Sequence, residues 1–518
     1  MKINRSGKFI LVALLIALTL GTAYAAGKSE SKPSTFIFGI EGDPGNAVNV
    51  ITTGDRFGLM EIKALYSPLY MYNGANKIVY FLAESMTPAA DYLSYTAKLR
   101  KNVKWSDGKP FTADDVVFTY EQMLKESNGG WARSQLIFDE QPVKVTKVDD
   151  YTVKFSLPKV SIGALELLSN IFIMPKHLYE GEANIEHSPK NATPVGTGPY
   201  KLQEYKAGQY VKFVKNDNYF LGAPKINTVV FRIIGDANTA LLALKNGEIN
   251  ALAVQPTDVA KLKGAKVNVL PYGEGRVAYM AFNLNSKAAQ NKAVRQAIAY
   301  ALNRTELINA SFVSSKYAQP AYSILPSTAS YQTDNVEKHN FNLAKAKSLL
   351  AKAGVRGLRL KLAYVGNNVP WQKQAVIIQQ NLKAVGITIE LIGMDSSAFS
   401  AKLKKDHTDF DMYLNGYIMG IDPDTFNSLF VTGDPTNYMH YSNPKVDKLF
   451  QEGRVERDLA KRKAIYEQIQ QLIIEDAAFY PITENKRILA IDARIGGVGE
   501  AALVPVYTFE DMSKLYFK

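Results

Sequence analysis

The sequence predicts an α/β protein, and three observations carry that prediction. Segments with period-2 hydrophobic alternation follow one another with segments of helical spacing throughout the chain. At 518 residues the chain exceeds what one compact core usually holds, so two or three domains are expected. With 47% hydrophobic and 11% aromatic residues, there is enough apolar material for large cores and no compositional sign of global disorder.

The first residues read as an address. Lys2, Arg5 and Lys8 form a basic start, Phe9 to Leu20 is apolar, and Ala23-Tyr24-Ala25 is a small-x-small cleavage site. The apolar run is too short for a membrane span, so residues 1–25 read as a cleaved signal peptide and 26–34 as a polar linker. The chain has no cysteine, which excludes disulfides, thiol catalysis, Cys-ligated metal and a lipid-modified cysteine anchor. Export to the periplasm as a soluble protein is the expectation. The formal charge of +12 is spread along the chain. Its densest runs, Lys404-Lys405 and Lys461-Arg462-Lys463, have acids close by, as on a solvated helix face, so no nucleic-acid partner is expected.

The most informative stretch runs from Tyr95 to Leu124. Tyr95, Ala97 and Leu99 alternate with polar residues as in a half-buried strand. Asp107-Gly108 marks a turn. Thr112 and Asp115 have the spacing of a capping box, with Asp in place of Glu. Val116, Val117, Tyr120, Met123 and Leu124 then fall at helical spacing.

Further elements follow in order. Thr35 to Ile40 is a short strand running into the turn Glu41-Gly42-Asp43-Pro44. Asn128-Gly129-Gly130-Trp131 closes the helix after Tyr120, with Trp131 on a loop. Val143 to Leu157 reads as a hairpin around Asp149-Asp150. Pro194 to Tyr200 contains GTGPY, and Ala240 to Leu244 is a helix stopped at Gly247. Tyr279 to Leu284 reads as a strand, Ala293 to Arg304 as one helix, and Asn342 as the cap of the next. A helix over Gln372 to Val385 leads to a strand over Ile387 to Ile392. Phe410 to Leu414 is another strand, and Leu459 to Ile474 another helix. No repeat of fixed period is present.

The run LRKNVKWSDGKPFTADDVVFTY, residues 99–120, closely resembles the signature of the family 5 extracellular solute-binding proteins, the peptide-, nickel- and oligosaccharide-binding components of bacterial ABC importers. The GTGPY turn at 196–200, the helix ending Lys245-Asn246-Gly247-Glu248-Ile249-Asn250, and the strand ending in Asn283 before Val294 to Ile298 extend the resemblance along the chain. It implies a two-lobed class II periplasmic-binding fold with an extra inserted subdomain. Lobe one would comprise 35–66, 191–272 and 486–518, with an insertion over 67–190, and lobe two 273–485. It implies no cofactor, a membrane permease as partner, and a monomer.

No catalytic constellation emerges. The five histidines, His177, His187, His339, His407 and His440, have no zinc-protease spacing, and there is no G-x-S-x-G elbow. The acid pairs Asp114/Asp115, Asp409/Asp411 and Asp422/Asp424 are read as structural. No enzyme and no metal site are expected.

By the resemblance, ligand-contacting residues are expected at Glu41, Trp131, Tyr417, Ile418, Met419, Gly420 and Asp422. Tyr417 stands where the family has an aromatic, so Tyr417→Ala is expected to weaken binding and leave the melting temperature of the free protein little changed. Where dipeptide and oligopeptide receptors carry an Asp that pairs with the ligand's α-amino group, this chain has Gly420, so the amine anchor is either missing or replaced by Asp422. No Arg matches the family residue that holds a dipeptide's carboxylate. Free dipeptides are therefore disfavoured, leaving oligopeptides held through backbone pairing, with oligosaccharides as the alternative. A secreted hydrolase is the rival of another class.

Overall fold

The computed structural model describes residues 35–138, 141–406, 408–418 and 420–518. The expected signal peptide and linker, and Met419, lie outside the described residues.

Among the described residues, one sheet of eleven strands spans both main hydrophobic cores. Its strands are β1 (Thr35–Ile40), β2 (Tyr200–Lys206), β3 (Tyr210–Lys215), β4 (Thr228–Ile233), β5 (Ala251–Val254), β6 (Val267–Phe282), β7 (Ala318–Pro320), β8 (Arg359–Val365), β9 (Thr388–Met394), β10 (Met412–Ile418) and β11 (Phe479–Asp492). Their spatial order is β2-β3-β4-β1-β5-β11-β6-β10-β8-β9, with β7 joined to β11. The pairs β1/β4, β1/β5, β8/β9 and β8/β10 are parallel, and the rest are antiparallel.

Two hydrophobic cores flank the centre of this sheet. The first gathers Phe36, Phe38, Phe231, Leu489 and Phe509, and the second Met280, Phe282, Leu362, Leu414 and Phe479. The chain passes from the first to the second between Tyr272 and Val277 in β6, and from the second back to the first between Ile482 and Leu489 in β11. Segment 67–190 carries its own four-stranded sheet, Ala83–Pro88, Ser94–Leu99, Thr152–Ser156 and Lys144–Asp149. Its Phe111, Tyr120 and Phe155 nevertheless belong to the first core.

Local chemistry explains the signature stretch. Thr112 and Asp115 form the capping box of the helix Ala113–Leu124. Asp115 is buried and accepts from Thr112 N at 2.9 Å, Lys176 N at 2.9 Å and the Trp105 indole at 3.3 Å. Those residues are therefore a folding knot of the first core. In the GTGPY turn a Cβ at Gly196 or Gly198 would strike the Leu65 backbone, so the glycines there serve close packing.

Three expected elements differ in extent. The helix expected over Ala293 to Arg304 is two, Lys292–Ala301 and Arg304–Phe312, because Asn303 caps the second by accepting from Glu306 N. The strand expected at Tyr279 to Leu284 is the last part of the long β6, which begins at Val267 and ends at Phe282. The strand expected over Phe410 to Leu414 instead spans Met412 to Ile418, so Gly416 and Tyr417 lie in the sheet.

Candidate functional site

The carboxyl ends of the parallel strands converge on the middle of the sheet. Val254 at the end of β5 lies opposite Ile488 of β11, and Ile418 at the end of β10 lies opposite Arg276 of β6. In open α/β sheets ligands bind at such strand ends. Here that place is also where both crossing strands leave one core for the other.

The crossing in β6 is irregular. Gly273 pairs with Lys486 and Val277 with Glu484, so residues 274–276 form a bulge. Bulges re-aim side chains out of a regular ladder. This one carries Glu274 and Arg276. Glu274 is buried and accepts from the Arg56 guanidinium at 2.9 Å, with the Arg487 guanidinium of β11 at 3.6 Å. Arg56 opens helix α1 (Arg56–Leu65), capped by Asp55. Arg276 lies 5.7 Å from the ring centre of Trp371, which belongs to helix α2 (Val369–Lys383). A Cβ at Gly416 would come within 2.6 Å of Arg276 Nε, so Gly416 leaves the space that this guanidinium occupies. Burial pulls the pKa of Arg276 and of Arg487 below the usual arginine value.

A second set of contacts joins the two bodies. Glu166, on the short helix Ala164–Leu167 against the first core, accepts from the backbone N–H of Ile421 and of Asp422. Ile162 N donates to Arg454 O at 3.1 Å, and Arg457 Nη2 donates to Asp91 O at 2.7 Å. Burial pushes the Glu166 carboxyl up to about 7, against the lowering pull of the two N–H donors.

The expected contact residues fall in several surroundings. Glu41 is exposed in the bend after β1. Trp131 packs half-buried on the first core, its indole N–H donating to Val50 O at 3.1 Å and its backbone N–H to Ile51 O at 3.0 Å. Tyr417 is buried in the second core, stacked on Phe479 with ring centres 6.0 Å apart, and its hydroxyl donates to Ile324 O. Ile418 is half-buried at the end of β10. Gly420 is filled against: the Glu166 carboxylate stands where a Cβ of residue 420 would be. Asp422 accepts two hydrogen bonds from the Arg462 guanidinium, at 2.8 and 2.9 Å, and caps the turn Pro423–Leu429 by accepting from Asp424 N at 2.9 Å. The carboxylate expected to meet a ligand amine is thus engaged inside its own lobe.

Sequence reading did not single out Glu166, Glu274 or Arg276. Glu274 and Arg276 sit in PYGEGRV, where alternating glycines look like a loop. Glu166 sits in a helix of one turn. A cavity of about 680 Å³ lies elsewhere, at the amino ends of β8, β9 and β10. In its lining Lys361 pairs with Asp409 and Ser286 bonds Asp411. Among the described residues no group of three or more His, Cys, Asp and Glu is placed to hold a metal, and no helix is long and apolar enough to cross a membrane.

Residues 77–438 match the family model described as bacterial extracellular solute-binding proteins, family 5. The chain belongs to this family. Among family 5 relatives, the oligopeptide-binding protein AppA of Bacillus subtilis is 32% identical over 488 residues, 88% of this chain and 87% of that one. Among solved structures, the ABC transporter substrate-binding protein CtaP of Listeria monocytogenes superimposes with a TM-score of 0.90 at 42% identity, covering 94% of this chain and 100% of that one. The structure of Bacillus subtilis AppA in complex with a nonapeptide matches with a TM-score of 0.78 at 27% identity, covering 94% and 99%. The fold is that of the family 5 receptors: mixed α/β, two-lobed, class II. Solute binding for transport, rather than catalysis, is what this family does.

Proposed function

We propose that the chain is the peptide-binding receptor of an ABC importer, taking oligopeptides into the cleft between its lobes and delivering them to a membrane permease. The observation that carries this reading is the hinge. Two strands cross between two separate cores, and the carboxyl ends of the parallel strands meet at the crossing. The likeness to AppA over most of both chains supplies the ligand class. Lobe one comprises 35–66, 191–272 and 486–518 with 67–190 attached to it, and lobe two comprises 273–485. Closure is a rotation about β6 and β11, with ligand binding shifting the balance between open and closed forms. The contacts of Glu166, Ile162 and Arg457 across the gap belong to the closed form. The protein acts outside the cytoplasm as a monomer, after removal of residues 1–25.

Asp422 is engaged by Arg462, so an oligopeptide held through its backbone in an extended groove suits the site better than a free dipeptide anchored by its amine. Native mass spectrometry of the mature protein, purified without unfolding, tests the reading. Adducts spaced by amino-acid residue masses are expected. Adducts spaced by hexose or pentose would overturn the ligand class, and cleavage of an added peptide mixture would overturn the receptor reading.

A further inference from the structure

The hinge holds more positive charge than it neutralises. Arg56, Arg276 and Arg487 gather on the β6 bulge around one carboxylate, that of Glu274. Among the described residues, Glu274 lies within ion-pair distance of Arg56 and Arg487 only. The nearby acids are committed elsewhere. Glu484 accepts from Ser327 N at 3.0 Å and Ser327 Oγ at 2.7 Å, and Glu61 is buried further along α1, where its electrostatic neighbours are Asp43 and Asp55. Arg276 has no carboxylate within ion-pair distance among the described residues; its guanidinium lies 5.7 Å from the Trp371 ring centre and against Gly416, with Glu274, Arg56 and Tyr279 as its electrostatic neighbours. Two buried donors, Arg56 Nη1 and Arg487 Nε, have no hydrogen-bond partner among the described residues.

Buried guanidiniums without anions are unfavourable, because desolvation is not offset by a partner. Unpaired buried donors are uncommon in native proteins and call for an explanation. Here Arg56 opens helix α1 and Arg487 lies on the crossing strand β11, both against the β6 bulge where the chain passes from one core to the other. A planar fork of donors over an indole is the arrangement that takes a carboxylate side-on.

We propose that Arg276, supported by Arg56 and Arg487, forms a subsite at the hinge for a carboxylate of the bound ligand. The proposal rests on the peptide-receptor reading above. A peptide has two sources of that group, its C-terminus and an Asp or Glu side chain. Gly416 belongs to the device, since any side chain there displaces the guanidinium.

The experiment measures binding to ligand-freed, refolded protein by isothermal titration with three synthetic pools of tri- to nonapeptides. The pools are neutral peptides with free C-termini, the same peptides as C-terminal amides, and amides carrying one internal Glu. The wild type is expected to bind at least one acid-bearing pool at least tenfold more tightly than the neutral amides. Preference for the free acids alone assigns the C-terminus, and equal gain from the internal Glu admits side chains. Arg276→Gln should abolish the preference with the melting temperature retained. Gly416→Ala, which keeps the arginine but moves it, should reduce it. Equal binding of all three pools, or an undiminished preference in folded Arg276→Gln, would overturn the subsite while leaving the receptor reading intact. Binding of no pool would instead overturn the peptide reading and this subsite's ligand with it.

Discussion

Asp422 and Arg462 form a two-pronged ion pair within lobe two, with the arginine side chain only 3% exposed. Arg462 also donates to Gly453 O at 2.9 Å, so its fork is consumed by the lobe itself. Removing the carboxylate strands a buried cation, which costs on the order of 3 kcal/mol. Asp422→Asn is therefore expected to lower the melting temperature clearly. Affinities for cationic and neutral peptides, measured well below the transition, should change by the same factor. A loss confined to cationic peptides would restore a ligand-facing role for Asp422.

Tyr417 makes a parallel case. Its ring lies among Tyr279, Phe426 and Phe479, and its hydroxyl is spent on the Ile324 carbonyl. The expectation that its loss would spare the melting temperature does not fit this burial. Truncation to Ala should cost about 3–5 kcal/mol, by the usual effect of emptying an aromatic site in a core. Tyr417→Phe keeps the rings and leaves one buried carbonyl unpaired, a loss of about 1–3 kcal/mol. Thermal unfolding of both variants checks the order, with Ala well below Phe and Phe below wild type.

What the sequence revealed and what it hid divide along the range of the interaction. The strand Ser94–Leu99, the Thr112–Asp115 box and the Asn342 cap were legible because each signal is complete within a few residues. The α/β class followed from the same local signals, and the two-lobed fold from the match of residues 99–120. The site was poorly legible because burial at β10 is decided by distant partners. Once Met412–Ile418 is one strand, Tyr413 and Tyr417 must share a face, and that face is the core. Tyr417 was expected at the ligand from the family's aromatic at that place, and no local signal in 412–418 spoke to which face would be covered. Glu166 is 255 residues from Ile421, so no spacing argument could join them.

Glu61 makes stability depend on pH in a definable window. Burial pushes its carboxyl up from the usual 4.5 to about 8, with Asp43 and Asp55 adding to the effect. The folded form therefore holds a proton that the unfolded chain releases above about 4.5. Stability contributed by this group is complete at acid pH and is lost as pH rises from about 4.5 to about 8. The loss amounts to several kcal/mol at the upper end. Glu61→Gln should flatten the fall in melting temperature between pH 5 and 8. Glu166, raised to about 7, and Lys63, lowered to about 8, titrate in or beside the same window, so the readout is the difference in slope between wild type and Glu61→Gln. An unchanged slope in Glu61→Gln would contradict this assignment.

Glu166 should make closure itself depend on pH. In the closed form its carboxyl is raised to about 7, because burial outweighs the lowering by the Asp422 and Ile421 N–H donors; the Asp422 carboxylate adds to the rise and Arg462 opposes it. Opening returns the side chain to water and its pKa towards the ordinary glutamate value. The closed form thus binds a proton more readily than the open form, and acid favours closing. Between about pH 5 and 7, ligand affinity should fall as pH rises, by at most roughly tenfold per unit, the limit for one proton. Above pH 7 the dependence from this group vanishes, since both forms are then ionised. Glu166→Gln keeps one oxygen to accept from the backbone and cannot ionise, so its affinity profile should be flat over the same range. Titration of a neutral peptide, C-terminally amidated to silence the hinge subsite, into both proteins from pH 5 to 9 separates the two effects. A slope shared by wild type and variant would assign the dependence to another group.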